Sequence, residues 1–117
     1  MSEESLKHFY DALDAAQAIL RFTQNKTFEN YCNDELLCSG VERKFEIIGE
    51  ALNRIKRTKP KDLSALSEWP AIIGFRNILA HGYDHVEDSV VWGIIESQLP
   101  SFIAELEKIP GILDNDV

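Results

Sequence analysis

The chain has 117 residues, 44% of them apolar and 27% charged, which fits one packed domain and leaves no room for two. Acidic residues outnumber basic ones 20 to 12, and the net charge of −8 disfavours a polybasic membrane binder or a protein that coats nucleic acid along its whole surface. That charge is uneven, because residues 1–40 carry −4, residues 41–82 carry +3 and residues 83–117 carry −7.

In chain order, Met1-Ser2-Glu3-Glu4 is acidic and does not read as a leader peptide. Leu6, Phe9, Leu13, Ala16 and Leu20 recur every three or four residues and predict a helix over about residues 4–24 with one buried stripe. The polar stretch Thr23 to Thr27 ends it. Cys32 and Cys38, the only cysteines, are six residues apart on what reads as one helix, too far to bridge. Two free thiols suit a reducing cytoplasm. Leu37, Val41, Phe45, Ile48, Leu52 and Ile55 then predict a second helix of five turns, with Glu42, Arg43, Glu46, Glu50, Asn53 and Arg54 on its polar face. Gly49 inside it costs on the order of 1 kcal/mol relative to Ala, which points to close approach by another helix or a ligand.

Residues 57–63 read as a charged loop around Pro60. Pro70 suits the first turn of a short third helix over roughly residues 70–81, with Gly82 as its left-handed stop. Asp88 or Ser89 caps a fourth helix carrying Trp92, Ile95, Leu99, Phe102 and Leu106. Pro100 is expected to kink this helix without ending it, and the tail from about residue 110 to fray. The longest apolar run, Val90 to Ile95, is too short to span a bilayer, and no alternating strand pattern competes. The expected fold is an all-α, up-and-down bundle of four main helices forming a single domain over residues 1–117.

The chemistry concentrates in Arg76-Asn77-Ile78-Leu79-Ala80-His81-Gly82-Tyr83. Five residues on a helix mean about 140° of rotation and roughly 7.5 Å of rise, so Arg76 and His81 are not same-face neighbours. A permanently charged fork, an imidazole that titrates near neutrality and a phenol together suit a phosphodiester. The residues alone leave a plainer reading open: a surface arginine, a C-capping histidine and a packed tyrosine.

Arg76-x-x-x-x-His81-x-Tyr83 resembles the R-x4-H-x-Y signature of the HEPN superfamily, specifically the HepT-like toxins of MNT–HEPN toxin–antitoxin pairs. Glu42 to Ala51 is similar to the family's long second helix with its "iiGEA" run. Trp69 to Asn77 is similar to its "W-x-x-I-x-G-x-R-N" approach, and Val91-Trp92 and Leu99-Pro100 fall where its last helix carries such pairs. These blocks cover most of the chain in order.

The resemblance implies a metal-independent, cytoplasmic endoribonuclease, dimeric, with the motifs of two protomers meeting at a shared cleft. No cofactor is expected, since an RNA 2′-hydroxyl can attack its own phosphate without a metal-activated water. Such a reaction needs a base, an acid and positive charge on the phosphorane. One protomer offers a single motif histidine, and a dimer supplies two. His81 is assigned to proton transfer and Arg76 to phosphate charge, with Asn77, Tyr83 and Glu50 in support; Glu50 is a candidate to contact the site or to tether Arg76, or is simply a charge on the helix surface. The implied partner is a minimal nucleotidyltransferase antitoxin that silences the toxin by transferring AMP to Tyr83.

Other readings compete. His81, Asp84 and His85 have metal-clasping spacing, which a helix stop at Gly82 spoils, so no metal is expected. Arg54, Lys56, Arg57, Lys59 and Lys61 form a solvated helix end, or a landing strip for RNA or for an acidic antitoxin. An alternative function is a non-catalytic, nucleotide- or partner-binding companion of a nucleotidyltransferase.

Overall fold

The computed structural model describes residues 1–81 and 86–113, and all of its regular structure is helical. Helix α1 (Glu3–Thr23) starts where Ser2 Oγ accepts the Ser5 backbone N–H at 3.1 Å, with Glu3 and Glu4 placed favourably in the first turn of the helix dipole. Its inner face is unusually lean. Ala12, Ala15, Ala16 and Ala18 are buried beside Phe9, Leu13 and Ile19, so another helix can come close. Leu20, expected in that stripe, is exposed, and Ile19 takes the inner position.

The close neighbour is α3 (Glu35–Thr58), capped by Asp34 and burying Val41, Phe45, Ile48, Ala51, Leu52 and Ile55. The α1–α3 packing is the most extensive in the fold, followed by that of α3 with α4 (Trp69–His81).

Three elements differ from the sequence expectation. A short helix, α2 (Phe28–Cys32), precedes α3, nucleated by a capping box in which Thr27 and Asn30 exchange bonds at 3.0 Å. It drives Tyr31 into the core against Trp92, ring centroids 5.5 Å apart. Cys32 and Cys38 therefore do not share one helix; the chain breaks between them at Asn33 and Asp34. Both thiols are pushed above their ordinary range, first by burial and then by the nearby Asp88 carboxylate, opposed at Cys38 by a hydrogen bond with Tyr31.

The segment around Pro60 is not an open loop. Helix α3 runs on to Thr58, and Pro60–Ala65 winds a 3-10 helix that buries Leu63. The expected kink at Pro100 is a full interruption, giving α5 (Asp88–Ser97) and α6 (Leu99–Glu107). Proline lacks the donor for the carbonyl four residues back and its ring presses on that turn, so the break falls just upstream, at Gln98. The apolar stripe survives the break, because Ile95, Leu99, Phe102 and Leu106 are all buried. Glu87 is the residue at the N-cap of α5, in place of Asp88 or Ser89, and makes no side-chain capping bond. Of the tail expected to fray from about residue 110, Ile112 is buried against the core, and residues 114–117 lie outside the described residues.

Gly49 is where α3 and α4 meet most tightly. A Cβ there would overlap Cβ and Cγ of Arg76, whereas a Cβ at Gly93 meets nothing within 4 Å. Gly93→Ala should therefore stabilise the chain by about 0.5–1 kcal/mol through helix propensity. Gly49→Ala, with the same propensity gain, should destabilise it by about 1–3 kcal/mol through overpacking. Urea denaturation of both variants checks this, and equal stabilisation would show that the contact does not limit the packing.

Candidate functional site

Helix α4 is apolar in composition but buries only Ile73 fully. Ile72, Phe75, Arg76 and Leu79 are half-buried, while Ala71, Gly74, Asn77, Ile78 and His81 are exposed. Phe75 meets Phe45 of α3 edge to face, centroids 5.3 Å apart with an interplanar angle of 79°. Near the start of the helix, Lys56 Nζ lies 5.9 Å from the Trp69 ring centroid, so one member of the basic cluster serves to dock α4. These contacts fix the helix, and with it the direction of Arg76.

Arg76 crosses the gap left by Gly49, and its side chain is only 20% exposed. Burying a guanidinium requires compensation, supplied here by two neighbours. Nη1 donates to Asn77 Oδ1 at 3.0 Å, and Nη2 lies 3.8 Å from Glu50 Oε1. Of the readings open to Glu50 in the sequence, the structure shows an ion pair with Arg76. Nε is buried and has no hydrogen-bond partner among the described residues. The same Glu50 oxygen receives Arg43 Nη1 at 3.4 Å, and Arg43 Nη1 also reaches Glu46 Oε2 at 3.2 Å. Arg43 was not singled out from the sequence. Its spacing from Glu46 and Glu50, three and seven residues along one helix, is the signal that could have found it.

His81 is the last residue of α4 and is exposed. It makes no hydrogen bond or ion pair with Arg76, as the helical offset between them requires. Asn77, which holds the Arg76 guanidinium, stands four residues before His81 on the same helical face. Tyr83, Gly82, Asp84 and His85 lie outside the described residues, so neither the phenol nor the possible metal-clasping set is placed. Among the described residues no group of three or more metal-ligating side chains occurs.

Two concavities flank this arrangement. A small cleft of about 170 Å³ beside Glu50 is lined by Lys44 and Arg54 as well as Asp11 and Asp14, so its charges are mixed. A larger groove of about 630 Å³ lies on the Phe75 side of α4, floored by Phe45 and Ile48 and walled by Ile94 and Phe102. It is mainly apolar, and its rim carboxylate Glu105 is already bonded to Ser67. The small cleft groups carboxylates with two cations but no histidine, and the larger groove is lined by no cation among the described residues. The groups suited to phosphate chemistry lie instead on the exposed end of α4 and the adjoining surface of α3.

The ribonuclease HepT-like family matches residues 12–109. The chain is 31% identical over 110 residues to a Methanocaldococcus jannaschii protein named "Putative RNase MJ1380", covering 93% of this chain and 100% of the relative. It is 30% identical over 112 residues to a Thermococcus cleftensis protein named "Probable ribonuclease HepT", covering 93% and 98% respectively. No solved structure matches. A match extending from within α1 to beyond α6, and including both the Arg43–Glu50 segment and Arg76 to His81, shows that the chain belongs to the ribonuclease HepT-like family.

Proposed function

We propose that this chain is a metal-independent endoribonuclease, the toxin of a toxin–antitoxin pair, which cleaves RNA by attack of a 2′-hydroxyl on the adjacent phosphate. The observation that carries the reading is the fixed guanidinium of Arg76 on the helix that ends in an exposed His81, in a chain of the HepT-like family. In the reaction a base takes the 2′-OH proton and the 2′-oxygen bonds to phosphorus. The P–O5′ bond then breaks, and an acid protonates the leaving oxygen, giving a 2′,3′-cyclic phosphate and a 5′-hydroxyl. Arg76 neutralises the charge that accumulates on the phosphorane. Asn77 positions Arg76, and His81 transfers protons.

Because His81 does not meet Arg76 within the chain, we place the working site between two copies. Supporting this, α4 makes extensive contacts only with α3 and leaves Gly74, Ile78 and His81 on an outer face where nothing else of the described chain packs extensively. A small-residue position beside an exposed Ile lets two such helices approach and brings a second His81 to the seam. No helix among the described residues is long and apolar enough to cross a membrane, and we place the activity in the cytoplasm.

Purified chain incubated with total RNA in EDTA should yield cyclic-phosphate ends. His81→Ala and Arg76→Ala should each lose at least about 10²-fold in rate, the scale of a removed proton-transfer or oxyanion-stabilising group. Cleavage that survives His81→Ala, or that vanishes in EDTA, rules the mechanism out. If no cleavage occurs while RNA or nucleotide still binds, the chain is the non-catalytic companion of a nucleotidyltransferase.

The regulatory half of the proposal concerns Tyr83, where an adenylate from the partner nucleotidyltransferase would add bulk and negative charge beside a phosphate site. Incubation with that antitoxin and ATP should add AMP to Tyr83 by intact-mass and peptide spectrometry. Tyr83→Phe should remain toxic and escape silencing; a silenced Tyr83→Phe chain would place the modification elsewhere.

A further inference from the structure

We propose that Arg43 forms a second RNA-backbone subsite beside Arg76, donating to a phosphate next to the scissile one; the proposal rests on the ribonuclease reading. Arg43 Nη1 and Arg76 Nη2 are 3.4 Å and 3.8 Å from one oxygen, Glu50 Oε1. The two guanidinium groups are therefore neighbours, closer than the sum of those distances at their nearest nitrogens, and can serve consecutive phosphates of one strand.

The two arginines are unequal in what they offer. Arg76 is 20% exposed and has Nη1 and Nη2 engaged, so it presents little surface to a polymer. Arg43 is 58% exposed, and its recorded bonds, to Glu46 and Glu50, both use Nη1. Nη2 and Nε carry none among the described residues. That leaves the two-donor edge of the guanidinium fork open to water, the edge whose geometry fits two oxygens of one phosphate. The carboxylates behind it hold the fork in one orientation, so less side-chain freedom is lost on binding. An exposed ion pair of this kind contributes little to stability by itself. Its position against the carboxylate that tethers Arg76 is what gives it a use.

The test is fluorescence anisotropy with a labelled single-stranded RNA of mixed sequence, about a dozen nucleotides long, on the full chain carrying His81→Ala to prevent turnover. Adding Arg43→Ala should weaken binding by about three- to thirty-fold and lower the slope of log affinity against log salt by about 1. Arg43→Lys should keep the slope and recover only part of the affinity, since it retains the charge and loses the fork; it also shows that a loss in the Ala variant is not a folding defect. In the chain with His81 intact, the Arg43→Ala loss should appear in KM and not in kcat. Unchanged affinity and salt slope overturn the proposal, as does a fall confined to kcat, which would mean that Arg43 acts only through Glu50 on Arg76. Cleavage by the intact chain together with unaltered Arg43 variants defeats this proposal alone. Absence of both binding and cleavage defeats the ribonuclease reading and the subsite with it.

Discussion

The contact between Gly49 on α3 and Arg76 on α4 is the constraint on which the rest of the site depends. A missing side chain on one helix makes space for the longest cation on the other. A guanidinium keeps its charge, so one drawn partly out of water needs charged or polar partners. Glu50, the next residue after the glycine, and Asn77, the next after the arginine, supply the compensation at no further conformational expense. Four residues, paired by adjacency on two helices, thus fix the guanidinium. The glycine's loss of helix propensity, about 1 kcal/mol, is small beside leaving a buried cation unpaired.

That pairing was partly legible in the sequence, for a clear reason. A glycine within a strongly periodic helix violates local preference, and such violations mark close approach or function. Gly49 could be singled out on that ground, Glu50 only as a polar-face charge in a family-like segment, and the helix holding both follows from its 3.6-residue period. The stripe of α1 was less sharp at its end, since Ile19 and Leu20 are both apolar and only packing against α3 selects between them. Helix α2 has no usable period in five residues; what makes it is a reciprocal capping box and the burial of one tyrosine. Pro100 was correctly read as a disturbance, but whether it bends or breaks a helix depends on how the preceding turn packs, which the sequence does not encode locally. Arg43 escaped notice because a charged residue on a polar helical face looks like solvation until the carboxylate it shares with another helix is visible.

The charge distribution takes on a spatial meaning once the helices are placed. The positive block from 41 to 82 covers most of α3 and all of α4, the two helices that build the site. The acidic block includes α5 and α6, which face the opposite side of the apolar groove from Phe75. One of its carboxylates, Glu105, bonds the backbone N–H and hydroxyl of Ser67 just before α4 begins, so it is structural and helps to seat that helix. Under the ribonuclease proposal, this distribution would favour approach of a polyanion along α3 and α4 over approach along α5 and α6. The overall negative charge therefore restricts the route of approach without opposing a local phosphate site.

The single chain also bounds the proposed reaction. Transesterification needs proton transfer on opposite sides of the phosphorus, together with a cation at the equatorial oxygens. Within the described residues the cation is fixed and partly buried, whereas the imidazole is exposed at a helix end some 140° around from it. In the proposed pairing a second α4 on the outer face would add a second histidine beside the first and would not touch the packing between α3 and α4. The rigidity that holds Arg76 in place, away from His81, is therefore the reason for proposing that the chemistry belongs to two chains.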